Sequence, residues 1–190
     1  MTWIRSIAPE QATGGTADVY QRWRTKTGRD HVSNYWQSMG LDPAALDAML
    51  ALRAALMDNP APLTTAQTEA IALVVSAVNG CDYGVAHHGR RLIQALGDEA
   101  LARAVARDYR EADLPARDRV LLDYAVALTC EPSERKAEDV ERLREYGFDD
   151  AAILRATEIT AFYNAANRIL TALGVPLEAG VAPWEYGAQR

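Results

Sequence analysis

From Glu69 to Asn79 the chain reads EAIALVVSAVN. Past its first residue almost every position is apolar, on all sides of a helical wheel. A helix with no polar face belongs at the centre of a fold, covered on every side by other elements. Thr64 and Gln67 just ahead of it have the spacing of a capping box, so the helix is expected to start there and run to about Val78. Asn79 and Gly80 stop it.

The rest of the chain supplies the cover. Leu46, Met49, Leu50, Leu52, Ala55 and Leu56 recur at steps of three and four behind Pro43, which is favoured in a first helical turn. No segment alternates with a period of two. The reading is all-α. It places helices over 17–25, 32–38, 43–57, 64–78, 81–96, 98–110, 115–130, 137–146 and 149–173. Residues 1–15 read as an extended lead-in and 177–190 as an irregular tail, with Trp184 and Tyr186 as candidates to pack back. At 190 residues, 49% of them apolar, the chain suits one domain over 1–190 with a large core.

Charge narrows the partners. A net charge of −6 and a pI near 5.1 argue against non-specific binding to nucleic acid or to an anionic membrane surface. The longest apolar run, IALVV, is too short to cross a bilayer. The first residues carry no signal-like apolar stretch, and two cysteines are too few for a disulfide framework. A reduced, cytoplasmic compartment is expected.

The stretch GCDYGVAHHGRRL, residues 80–92, holds one of the two cysteines and two of the three histidines. At a helix start Cys81 would face unpaired N–H groups and the positive end of the helix dipole, which favours a reactive thiolate. Read as packing, it is a small hydrophobe in a tight turn. His88 lies roughly 10 Å further along the same face, too far for a direct bond to the sulfur. The position that would bridge them is Gly84. Positions 81, 84, 85, 88 and 92 share that face, so His88 is expected to point inward, and His87 outward to solvent. Glu69 reads first as a carboxylate near a helix N-terminus. If buried it needs a partner and would have a raised pKa. His88 is the candidate, because a short turn joins the two helices, and such a pair can relay protons. Arg90, Arg91 and Arg168 are candidate partners for a substrate carboxylate, or solvated surface residues. No spacing for a metal site, phosphate loop or serine nucleophile elbow is present, and no cofactor is expected.

Glu69, eleven residues, Cys81, then His88 in IALVVSAVNGCDYGVAHH resemble the alkylhydroperoxidase D-like family of the carboxymuconolactone decarboxylase superfamily, in its peroxidase-related group. NYWQSMGLDP, LRAALMDNP and NAANRILTALGVPLE extend the resemblance over about 30–178. The family motif is Glu, eleven residues, Cys-x-x-Cys, three residues, His. The resemblance implies an AhpD-like all-helical fold, with a motif core about 60–130, assembling as a dimer, trimer or hexamer. It implies peroxiredoxin-type peroxidase activity on a hydroperoxide, with Cys81, Glu69 and His88 catalytic and Tyr83, Gly84 and His87 lining the site. A dithiol such as a lipoyl group or a thioredoxin-like protein would be the reductant. In that scheme the second motif cysteine attacks the peroxide, and here its place is held by Gly84.

Three functions follow. One is a thiol peroxidase impaired by Gly84, in which Cys81 acts alone; a cysteine restored at 84 would then be expected to pair with it. A second is a cysteine-independent, decarboxylase-like lyase that uses Glu69 and His88 as an acid–base pair, with the pocket enlarged at position 84. A third is an inactive oligomer that binds a ligand. In the first, Cys81 should be alkylated faster than Cys130.

Overall fold

A computed structural model describes residues 2–187 and 189. Met1, Ala188 and Arg190, which the expected lead-in and tail include, lie outside the described residues. Among the described residues, nine α-helices and two short 3-10 turns make up the regular structure, with no strand. The helices are α1 (Gly14–Thr27), α2 (Asn34–Ser38), α3 (Pro43–Met57), α4 (Thr65–Val78), α5 (Asp82–Leu96), α6 (Glu99–Asp108), α7 (Ala116–Cys130), α8 (Ala137–Glu145) and α9 (Asp150–Ala172). None is long and apolar enough to cross a membrane.

The apolar run forms α4, and it is the hub of the fold. It packs against α5, α6, α7 and α9. Ile71, Leu73, Val74 and Val75 are fully buried, each contributing about 1.5–3 kcal/mol of transfer free energy. Its start is set by both halves of the capping box: the Gln67 N–H donates to Thr64 Oγ1 at 3.1 Å, and the Thr64 N–H donates to Gln67 Oε1 at 2.9 Å. Its end is a Schellman closure. Gly80 takes φ +63°, the Gly80 N–H reaches Ala77 O, and the Cys81 N–H reaches Ser76 O at 2.9 Å. This turn folds α5 back along α4.

Two departures from the sequence reading occur at the chain ends. The lead-in is not extended throughout: Pro9–Gln11 form a 3-10 turn, and α1 begins at Gly14 rather than after Gly15. Gly14 uses its freedom at φ +53° to enter the helix. The tail has no helix, but it does pack. Trp184 lies against the bare backbone of Gly89 on α5, where an added Cβ would stand 2.4 Å from the indole. Tyr186 donates to Asp82 Oδ1 at 2.6 Å, and Gln189 Nε2 donates to Val105 O at 2.8 Å.

Candidate functional site

The α4–α5 hairpin brings Glu69 and His88 together. Glu69 lies eleven residues before Gly80 and His88 eight after it, which carries both roughly 12–17 Å from the turn on adjacent helices. His88 Nδ1 is 2.7 Å from Glu69 Oε2, and both residues are 5% exposed. Glu69 sits beyond the first turn of α4, so the helix terminus does not account for it. Burial pushes its carboxyl up, but the charge and hydrogen bond of His88, with Arg91 and Arg53 further off, outweigh burial and hold it below the usual carboxylate range. The raised value expected for a buried carboxylate is therefore reversed by its partner. Burial dominates at His88 and pushes the imidazole down, against the opposing pull of Glu69. The two groups form one hydrogen-bonded pair sharing a proton between Nδ1 and Oε2, so they titrate together, and the hydrogen bond leaves Nε2 free of Glu69. Tyr163 on α9 packs edge-on against His88, with ring centroids 4.4 Å apart.

His88 fronts a cleft of about 1000 Å³ whose wall includes Tyr35, Trp36, Tyr83, Gly84, His87, Phe162, Tyr163 and Asn167. Neither Glu69 nor Cys81 is among the lining residues, so Glu69 acts behind His88 rather than in the cleft. Arg91 and Arg53 bring positive charge to it. Arg53 is paired with Asp58 at 2.7 Å, whereas no ion pair among the described residues involves Arg91. Of the three arginines considered from sequence, only Arg91 lines the cleft. Arg90 is exposed, and Arg168 bonds Asn164 of its own helix.

His87 does not point to open solvent as expected. Its Nε2 lies 2.8 Å from Glu178 Oε2, in the segment after α9. Tyr83 donates to the same carboxylate at 2.5 Å, and the Asn34 N–H donates at 2.9 Å. Burial alone would raise the Glu178 pKa; the bonds from His87, Tyr83 and Asn34 outweigh it and hold it at about 2. The pairing joins residues some ninety positions apart, which no local pattern encodes.

Cys81 departs furthest from expectation. It is the N-cap of α5, but it is 3% exposed and its side chain makes no capping bond. Burial pushes its thiol up, past the opposing backbone N–H groups of Gly84 and Tyr83 and the Thr171 hydroxyl. Desolvation therefore outweighs the helix terminus. Cys130 is the exposed thiol, at the end of α7, and both cysteines are free. The accessibility that would make Cys81 label faster belongs to Cys130.

Gly84 is not a vacated position. A Cβ built there would lie 2.3 Å from Ser76 Oγ and 2.8 Å from Asn167 Oδ1. Ser76, fully buried on α4, and Asn167, on α9, fill the space a side chain at 84 would need. The pocket is thus not enlarged on that side, and a cysteine cannot enter without displacing them.

The comparisons with known proteins agree with this architecture. The model of the carboxymuconolactone decarboxylase family matches residues 43–108. A crystal structure of an uncharacterized peroxidase-related protein from Silicibacter sp. TM1040 is 31% identical, with 94% of this chain and 90% of that one covered and a TM-score of 0.79. A peroxidase-related protein from Ralstonia eutropha JMP134, described as an alkylhydroperoxidase AhpD core, is 28% identical over 96% of this chain and 97% of that one, with a TM-score of 0.84. The debrominase Bmp8 in complex with 2,3,4-tribromopyrrole shares the fold at 20% identity, over 94% and 95% of the two chains, with a TM-score of 0.75. No curated protein matches the chain. The chain belongs to the AhpD-like group of the carboxymuconolactone decarboxylase superfamily.

Proposed function

We propose that this chain is a proton-transfer enzyme of the lyase or isomerase type, acting on a small organic acid, with His88 as base and then acid. The observation that carries this reading is the wall of the cleft: His88 fronts it with Glu69 behind, and the Cys81 thiol does not line it. The imidazole accepts a proton at Nε2. Glu69 fixes the tautomer through Nδ1 and stabilises the imidazolium that forms. Arg91 supplies a cation for the substrate carboxylate. Self-association and a cytoplasmic setting belong to the same proposal.

A second reading is the thiol peroxidase. It is favoured by the position of Cys81 at the family spacing and by the 31% identical peroxidase-related structure. In it the Cys81 thiolate attacks the peroxide O–O bond, releases an alcohol and becomes a sulfenic acid, which a lipoyl or thioredoxin-like dithiol reduces.

One experiment separates them. Deuterium exchange into a panel of 2-oxo and 3-oxo carboxylates is followed by NMR, beside dithiol-dependent loss of an organic hydroperoxide. Exchange should disappear in His88→Gln, fall about 100-fold or more in Glu69→Gln, and survive Cys81→Ser. It should decline on the acid side at a pH below the ordinary histidine value of about 6.5, because burial lowers the pKa of His88. Hydroperoxide turnover abolished by Cys81→Ser, with no exchange in the wild-type protein, would replace the first reading with the second.

A further inference from the structure

The cleft is larger than a short oxo acid needs. At about 1000 Å³ it stands at the upper end of sites that enclose a drug-sized ligand. His88 and Arg91 front one part of its wall. The Arg91 charge acts on both Glu69 and His88, so Arg91 belongs to the inner end. Another part of the wall comes from the last turn of α1 and the segment behind it, through Trp23, Lys26, Arg29 and Asp30. Lys26, Arg29 and Asp30 are exposed, so this part is the rim. Much of the remaining wall is aromatic, with Tyr35, Trp36 and Phe162.

Lys26 and Arg29, like Arg91, have no ion-pair partner among the described residues. Lys26 alone is explained by its place in the last turn of α1, where a cation meets the negative end of the helix dipole. Arg29 is not, because it lies beyond Gly28, which closes α1 at φ +66°. Trp23 lies three residues before Lys26, on the same face of α1, so the rim sets an aromatic ring beside its cations. Three carboxylates stand in the cleft wall among the described residues. Asp58 is taken by Arg53, and Glu178 by Tyr83 and His87, which leaves Asp30 against Lys26, Arg29 and Arg91. The cleft thus holds an excess of positive charge in a chain whose net charge is −6. A concave wall whose charge opposes that of the molecule concentrates anions.

We propose that Lys26 and Arg29 form a second anion site at the mouth of the cleft, and that the substrate is an elongated dianion with an aromatic body. Its acid head meets Arg91 and His88 at the inner end. Its body lies along the aromatic wall, and its second anionic group is held at the rim. This deepens the acid–base reading and rests on it for the inner end. The rim cations are solvated, so each contributes modestly to binding and takes no part in the proton transfer. Their contribution is orientation. A ligand held at both poles presents one end to His88, whereas a short acid can lie in the cleft in several poses.

The test titrates 4-biphenylcarboxylate and 4,4′-biphenyldicarboxylate into the protein by calorimetry, at about 0.15 M salt. The two probes share one aromatic body and differ by one charge at the far end. The wild-type protein should bind the dicarboxylate about tenfold more tightly, the scale of two partly exposed ion pairs. In the double variant Lys26→Gln/Arg29→Gln this ratio should fall to about two, the statistical advantage of a symmetric diacid. Arg91→Gln, at the other pole, should weaken both probes. Arg90→Gln/Arg107→Gln removes the same charge from exposed positions outside the cleft wall and should keep the wild-type ratio. The proposal is overturned by a wild-type ratio of about two or less, by a ratio that survives loss of Lys26 and Arg29, by an equal fall in the Arg90 and Arg107 control, or by an Arg91 variant that binds both probes as wild type does. No turnover is needed for this readout. A ratio that depends on Lys26 and Arg29 supports the rim site even if no oxo acid exchanges its proton. Exchange in a protein that does not distinguish the two probes keeps the acid–base reading and removes the rim site.

Discussion

At Gly84 a single missing side chain decides what surrounds it. Ser76 and Asn167 fill the space, so Gly84→Cys should destabilise the fold by about 1–3 kcal/mol, the usual range for overpacking a filled core. It should also fail to form a disulfide with Cys81. Urea unfolding and thiol titration check both, and Ser76→Gly combined with Gly84→Cys should recover part of the loss. A disulfide formed readily at unchanged stability would mean that Ser76 and Asn167 are not held there. The residue scale is also where sequence was least informative. Glu69, Cys81 and His88 stand out in one line of sequence because two helices and the three-residue turn between them carry them. The neighbours that define their roles, Asn167, Tyr35 and Arg53, come from other helices, and no spacing rule links them to position 84. The sign of the Cys81 shift was misread for a related reason. A helix terminus is visible in sequence, whereas the burial that overrides it is a property of the packed fold.

Elements were more legible. The capping box at Thr64, the proline at the start of α3 and the glycine closing α4 are local devices, and each helix boundary they set lies within a residue or two of expectation. What lacked a local device was harder to place, and the segment after α9 is the main case. Glu178 ties that segment to α2 through Asn34 and to α5 through Tyr83 and His87. Its carboxyl is held at about 2, below its ordinary value, so the ionised form is the one the fold favours. The stabilisation is complete above the unfolded-state value of about 4.3 and is lost as pH falls from there toward 2. Thermal melts between pH 6 and pH 2.5 should show this loss, and Glu178→Gln should flatten the profile and lower the neutral-pH melting temperature. A variant whose melts track wild type across that range would show that the tie contributes nothing to stability.

The whole molecule is built around one helix. Because α4 touches four others, a cavity in it is felt everywhere. Leu73→Ala should cost about 2–5 kcal/mol, as for other fully buried leucines, and should lower the denaturant midpoint without changing the slope. Biphasic unfolding would instead show that α4 does not couple the bundle into one cooperative unit. The order in which the chain assembles its cleft has a further consequence. Tyr35 and His88 come early in the sequence, but Glu178, Ala179 and Val181 complete the cleft wall, and Trp184 locks this segment onto α5. α9 and the segment behind it are the last of these parts to be made, so His88 meets Tyr163, and the cleft gains its Glu178, Ala179 and Val181 wall, only when synthesis of the chain is nearly done.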